Sequence, residues 1–223
     1  MAWIQKNEHR LAALADPDKL LPEDVPQWWE KASRWQAGVV LVGGSFLYRR
    51  PVGPLVEALK KHVPVPVILF PGDYAQLDGR ADAVLFLSLL SGRNPEYLAG
   101  QQVKAAPFIR QSGLDVIPTA YLLVDGGRVT TVQYVTQSLP LPADKPGLIT
   151  ATALAGQYMG MRAVYLEAGS GAVRPVPTGV VEQVSRAVDI PVIVGGGIRS
   201  ISRVHQYFEA GAAWVVVGHV LED

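Results

Sequence analysis

Residues 163 to 171, Ala163-Val-Tyr-Leu-Glu-Ala-Gly-Ser-Gly171, run from an apolar stretch straight into a turn with one carboxylate, one hydroxyl and two glycines. Consecutive apolar residues such as Ala163 to Leu166 suit a parallel strand covered on both faces. Gly169 and Gly171 then offer backbone N–H groups that can close on an oxyanion. Two later segments have the same form. Val192-Ile-Val-Gly-Gly-Gly-Ile198 ends in glycines, and Trp214-Val-Val-Val-Gly-His219 ends in Gly-His. Three successive strands ending in glycine, separated by helical segments, describe the phosphate corner of a (β/α)8 barrel, built by its last βα loops. A phosphorylated ligand is the first functional expectation.

Upstream, short apolar runs alternate with amphipathic segments, the pattern of βα units around a parallel sheet. Candidate strands fall at 11–15, 38–43, 66–70, 82–87, 115–124, 162–166, 191–195 and 213–217, and helices at 22–36, 51–62, 94–112, 147–160, 177–188 and 200–210. The expected class is therefore α/β, a TIM-like barrel with a modified third unit. Residues 71 to 82 lack a helical apolar stripe, so an opening in the outer ring of helices is expected there. Asp125-Gly126-Gly127-Arg128, between two β-rich runs, predicts a hairpin appended after strand five.

A chain of 223 residues suits one domain over 1–223. Twenty basic and twenty acidic residues cancel, which leaves no electrostatic footprint for nucleic acid. The absence of cysteine excludes disulfides and thiolate metal sites. The N-terminus has no signal-like apolar core, and no stretch reaches the roughly 20 apolar residues of a membrane span. A cytoplasmic protein is expected.

Asp16-Pro17-Asp18-Lys19 follows the first strand, at the rim where barrel chemistry sits. A carboxylate there suits magnesium, which takes one or two protein oxygens and fills its shell with water and phosphates; it equally suits a capped turn. Gly43-Gly44-Ser45 ends strand two and offers a hydroxyl beside it, or an ordinary glycine turn. Glu167 is the sharper signal. A carboxylate at a strand end in a barrel mouth is costly unless used or paired, and the bland alternative is a salt bridge to an arginine. Gly195-Gly196-Gly197-Ile198-Arg199 and Gly218-His219 read as phosphate loops, with His219 given no catalytic role. Strand four and its loop stay apolar from Leu85 to Leu90, beyond where a rim should meet water. With Tyr97, Leu98 and Ile117 to Tyr121 this suggests a hydrocarbon groove, in which Ala120 is the small residue among large ones, and it equally suits ordinary packing of helix on barrel.

Leu14-Ala-Asp-Pro-Asp-Lys19, Val42-Gly-Gly-Ser45, Leu87-Ser-Leu-Leu-Ser-Gly-Arg-Asn-Pro95, Tyr165-Leu-Glu-Ala-Gly-Ser-Gly171 and Gly195-Gly-Gly-Ile-Arg-Ser200 together resemble the geranylgeranylglyceryl phosphate synthase family, which includes the heptaprenylglyceryl phosphate synthases. The Ala-Gly-Ser-Gly loop is closer to the archaeal-type branch. The resemblance implies transfer of a prenyl group from its diphosphate, geranylgeranyl diphosphate first among donors, to sn-glycerol 1-phosphate with magnesium (Mg2+). It implies Asp16 and Ser45 as metal positions, and Glu167 and Tyr165 as catalytic. Tyr165, Leu166, Glu167, Ala168, Gly169, Ser170, Gly171, Gly196, Gly197, Gly218 and His219 would be glycerol phosphate contacts, His219 standing where many members have Asn. Lys19 or Arg93 would help take the leaving charge. It further implies a homo-oligomer, dimer or hexamer, with some of Trp28, Trp29, Trp35, Tyr97, Leu98 and Phe108 at the interface. Peripheral membrane contact for product release is expected without a transmembrane segment. Two other readings fit the barrel: a sugar-phosphate isomerase or aldolase, and a non-catalytic prenyl- or phosphate-binding barrel.

Overall fold

Valine, isoleucine, leucine and alanine dominate eight short strands: β1 (Arg10–Ala15), β2 (Ala37–Val42), β3 (Val67–Leu69), β4 (Ala83–Leu89), β5 (Asp115–Leu123), β6 (Ala163–Glu167), β7 (Val192–Gly195) and β8 (Trp214–Val217). In the computed structural model, which describes residues 3–48 and 51–222, they pair in sequence order as a closed parallel barrel, β8 returning to β1. Side chains alternate in and out along each strand, so every strand feeds two separate cores. Ala12, Val39, Leu41, Ile68, Leu85, Ile117, Tyr165, Ile193 and Trp214 fill the lumen. Their neighbours Ala13, Val40, Val84, Val164, Val194 and Val215 face the surrounding helices.

Those helices are α1 (Val25–Arg34), α2 (Val52–His62), α3 (Gln101–Ser112), α5 (Pro146–Tyr158), α6 (Thr178–Ala187) and α7 (Ile201–Glu209), with a short α4 (Thr131–Thr136) above the barrel mouth. All eight strands and six flanking helices fall where the sequence predicts them. Between β3 and β4 there is only a three-residue turn, Tyr74–Gln76, capped by Asp73, whose Oδ1 accepts from the Ala75 N–H at 2.7 Å. The ring of helices is open at this point, as expected. None of the described helices is long and apolar enough to cross a membrane.

The predicted hairpin does not form. Tyr121 pairs with Leu89 on one side and Tyr165 on the other, and Leu122 and Leu123 pair with Leu166 and Glu167. Beyond Tyr121 the β4 side of strand five is taken by Leu141, whose N–H donates to the Leu123 carbonyl at 2.8 Å and whose carbonyl accepts from the Asp125 N–H at 2.9 Å, so no edge is left on which residues 129–132 could fold back. The Asp-Gly turn instead docks on the next loop, the Gly126 carbonyl accepting from Val173 and Arg174 N–H at 3.0 Å each. The chain then continues into α4.

Candidate active site

The same alternation that builds the lumen delivers the site. On β6, Val164 and Leu166 pack outward, so Tyr165 and Glu167 point inward at the mouth. On β1, Ala12 and Leu14 face the lumen, and Asp16 stands two residues further along the same face. Both carboxylates, the Gly43-Gly44-Ser45 loop, and residues Ser170, Gly171, Gly196, Gly197, Gly218 and His219 line one cleft of about 1540 Å³, counting its open mouth.

Glu167 is only 6% exposed. Its Oε1 accepts from the Gly169 N–H at 2.6 Å. No ion pair of the described residues includes it, which removes the salt-bridge reading. Burial pushes its pKa up to about 7, against the lowering effects of the Gly169 N–H and the nearby Tyr165 phenol. A carboxyl poised there can exchange a proton near neutrality. The Tyr165 phenol is itself held neutral by burial and by the Glu167 charge. It lies beside the carboxylate without being aligned on it, and its hydroxyl has no partner that satisfies hydrogen-bond geometry.

The triple glycine follows from this pair. A Cβ on Gly195 would lie 2.4 Å from the Tyr165 hydroxyl, and one on Gly196, which also has φ of 87°, would lie 2.4 Å from Glu167 Oε1. Any side chain at either position would occupy the space of the Tyr165 hydroxyl or the Glu167 carboxylate. The loops beyond them line the cleft, and nothing lies within 4 Å of where a Cβ on Gly171 would stand.

Beneath Glu167 lies an aromatic floor. Phe70 stacks on Tyr165 with ring centroids 4.9 Å apart, and Tyr121 packs against both rings at 6.1 and 5.4 Å. Phe70 was not singled out by its sequence, and the only signal for it is its place one residue past the short β3.

At the opposite rim, Asp16 Oδ1 accepts from the Asp18 N–H at 2.9 Å, and the Lys19 ammonium stands 3.7 Å from Oδ2. Desolvation raises the Asp16 pKa, with the Asp18 N–H and Lys19 pulling the other way. Lys19 bonds both oxygens of Glu222 at 2.8 and 2.9 Å, and Glu222 also lies 3.5 Å from the His219 imidazole. No group of three or more His, Cys, Asp and Glu is arranged to hold a metal ion among the described residues. Glu222 is engaged by Lys19, so the side-chain donors this rim offers to the cleft are the Asp16 carboxylate and the Ser45 hydroxyl, beside main chain. That set fits magnesium, which leaves most of its shell to water and phosphate oxygens.

Several expected positions move. Arg93 donates to the carbonyls of Leu90 and Gly92 at 3.1 and 2.7 Å, away from the cleft; Arg199 lines the cleft instead. Leu166 is fully buried in the outer core, and Ala168 spends its N–H on the Gly195 carbonyl at 3.1 Å, so neither side chain reaches the cleft. Ala120 is also outward. It packs under Gly156 of α5, where an added Cβ would come within 2.6 Å, because its parity on β5 is opposite to that of Tyr121. Leu90 and Leu98 belong to the same outer layer, and Ile117 lies in the lumen. The apolar groove does exist, and it leaves the mouth past Phe70, Leu85, Leu87 and Tyr97 and passes through the gap of the third unit. Leu77, Phe86, Ala105 and Ile109 line its outer part, between β4 and α3. Trp28 is 5% exposed against the barrel, whereas Phe108 on α3 remains exposed.

Gln76 escaped sequence reading altogether. Its side-chain amide, 5% exposed, accepts from the N–H groups of Gly44 and Gly72 at 3.3 and 3.2 Å and donates to the Gly44 carbonyl at 2.9 Å.

Residues 2–223 match the PcrB family. The geranylgeranylglyceryl phosphate synthase of Methanopyrus kandleri is 46% identical over 94% of this chain and 87% of its own. The protein of the same name from Spirosoma linguale is 42% identical over 95% of this chain and 85% of its own. The crystal structure of (S)-3-O-geranylgeranylglyceryl phosphate synthase from Thermoplasma acidophilum, in complex with sn-glycerol-1-phosphate, superposes with a TM-score of 0.90 at 37% identity, covering 97% of this chain and 87% of that one. By a match that spans residues 2–223, and by relatives this similar over most of both chains, the chain belongs to the PcrB family.

Proposed function

We propose that the chain, one barrel domain over 1–223, is a prenyltransferase. It forms an ether bond between sn-glycerol 1-phosphate and a long-chain prenyl diphosphate, geranylgeranyl diphosphate first among donors, and releases diphosphate. One observation carries this reading: a buried carboxylate with a pKa of about 7 lies between glycine-lined loops on β6 to β8 and an apolar groove through the third unit. An isomerase or aldolase has no use for such a groove. The named relatives and the glycerol phosphate complex support the same assignment.

The N–H groups at Ser170, Gly171, Gly196 and Gly197 would hold the acceptor's phosphate. The acceptor hydroxyl then lies at Glu167, which takes its proton as the oxygen bonds to the allylic carbon. The allylic C–O bond breaks with its electron pair going to diphosphate. The positive charge that develops faces the rings of Phe70, Tyr121 and Tyr165, an attraction of about 2 kcal/mol or more once water is excluded. Asp16 and Ser45 would hold magnesium, which when bound offsets the charge of the diphosphate. The tail gains about 0.8 kcal/mol per buried CH2 along the groove.

Incubation with labelled sn-glycerol 1-phosphate and prenyl diphosphates of ten to thirty-five carbons, with and without EDTA, tests the assignment. An ether product that disappears with EDTA is expected. No product with any donor refutes it.

Tail length is read at the far end of the groove. Ala105→Trp puts an indole between β4 and α3, and kcat/KM for the longest donors is expected to fall about tenfold or more while the ten-carbon donor is unaffected, since overpacking of this size costs roughly 1–3 kcal/mol. An equal loss for all donors would mean the tail lies elsewhere. The chain also acts as a homo-oligomer in this reading, with exposed Phe108 on α3 at the contact; light scattering is expected to give a mass above 24.0 kDa.

A further inference from the structure

Where an ordinary barrel has its third helix, this one has a three-residue turn ending in Gln76. The buried amide of that residue makes three hydrogen bonds to main chain that does not belong to its own turn. Two are to Gly44, one on its N–H and one on its carbonyl, and the third is to the N–H of Gly72. The loops after β2 and β3 are thereby tied to each other by one side chain.

The loops are also packed as closely as main chain allows. A Cβ on Gly72 would lie 2.5 Å from the Gly44 carbonyl oxygen and 2.8 Å from that of Ser45. One on Gly43 would lie 1.9 Å from the Phe70 carbonyl oxygen. Gly44 in turn sits by Asp16, whose Oδ1 is 3.5 Å from the Cβ that Gly44 lacks. The register of Ser45 against Asp16 therefore depends on where Gly44 is held, and Gln76 holds both polar groups of that residue. A carboxylate there could accept two N–H bonds but could not donate to the Gly44 carbonyl.

We infer that Gln76 is a positioning residue for the diphosphate half of the site: it sets the Gly44-Ser45 loop against Asp16 without touching substrate. This rests on the proposed placement of diphosphate and magnesium at Asp16 and Ser45. It predicts an asymmetry that general loss of packing would not produce. The glycerol phosphate half is built on β6 to β8, across the barrel, and shares no hydrogen bond with Gln76.

The test is calorimetric binding of inorganic diphosphate with magnesium, in the presence of saturating sn-glycerol 1-phosphate, to wild type, Gln76→Glu and Gln76→Ala, with KM for both substrates measured in parallel. Gln76→Glu keeps the size of the side chain and serves if the alanine variant folds poorly. Loss of buried hydrogen bonds is expected to weaken diphosphate binding and raise donor KM about tenfold or more, with acceptor KM within about twofold of wild type. If diphosphate affinity of Gln76→Glu stays within about twofold of wild type, or both substrates weaken alike, the inference is overturned. A wild type that binds no diphosphate and transfers no prenyl group defeats the functional reading itself, a result distinct from active wild type with indifferent Gln76 variants.

Discussion

Glu167→Gln is expected to lose at least about a hundredfold in turnover, the lower range for a positioned acid–base group, and to become more stable than wild type above neutral pH. Both effects come from the same burial. In the folded protein the carboxyl titrates near 7, whereas in the unfolded chain it titrates near 4.5. The folded state therefore binds this proton more tightly, and the stability linked to it is fully present below about pH 4.5 and lost as pH rises through 7. A shift of this size corresponds to roughly 3 kcal/mol at pH 8. Glutamine escapes that loss, and its carbonyl can still accept from Gly169. The Tm of the variant should match wild type near pH 4 and exceed it by several degrees at pH 8, while wild-type turnover should climb to a plateau above about pH 7. Thermal melts at the two pH values decide it: a constant Tm difference would show that Glu167 is not buried as a titrating group, and wild-type turnover in the variant would remove its catalytic role.

The second large effect concerns the other carboxylate. Asp16→Asn should raise the magnesium concentration for half-maximal rate by about ten- to a hundredfold, the scale of losses seen when the setting of a metal ligand is disturbed. Affinity for sn-glycerol 1-phosphate should hardly change, because that ligand is assigned to loops on β6 to β8. Asp16 keeps its Oδ1 bond to the Asp18 N–H in either form, so the turn is preserved and the fold is not at issue. If calorimetry instead found acceptor binding lost and the metal response intact, the two halves of the site would have been assigned in reverse.

The barrel was legible because its strands are apolar on both faces and end in glycine, a pattern that survives without any tertiary information. Glu167 was legible for the same reason: polarity at the end of such a run is costly. What misled was parity and edges. Ala120 lies among lumen residues in the sequence but one step out of phase with Tyr121, and a groove read from composition ignores that step. The Asp-Gly turn had hairpin chemistry, yet strand five had no unpaired edge to receive it. Arg93 has the charge for a diphosphate, and its own loop carbonyls claim it. Gln76 and Phe70 stayed hidden because their contacts join segments from different strands, for which a single sequence holds no periodic signal.

The gap in the third unit means that the two ends of a bound donor would meet different kinds of wall. Its charged end would face main chain packed so tightly that single atoms cannot be added, as at Gly43 and Gly72. Its hydrocarbon end would face side chains on α3, such as Ala105 and Ile109, which support no strand pairing. Substitution is thus blocked by main chain at one end, whereas at the other it would alter the wall met by the tail. Under the proposed function, descendants of this chain would change which lipid they make by drifting along one helix, while the bond-forming step stayed fixed.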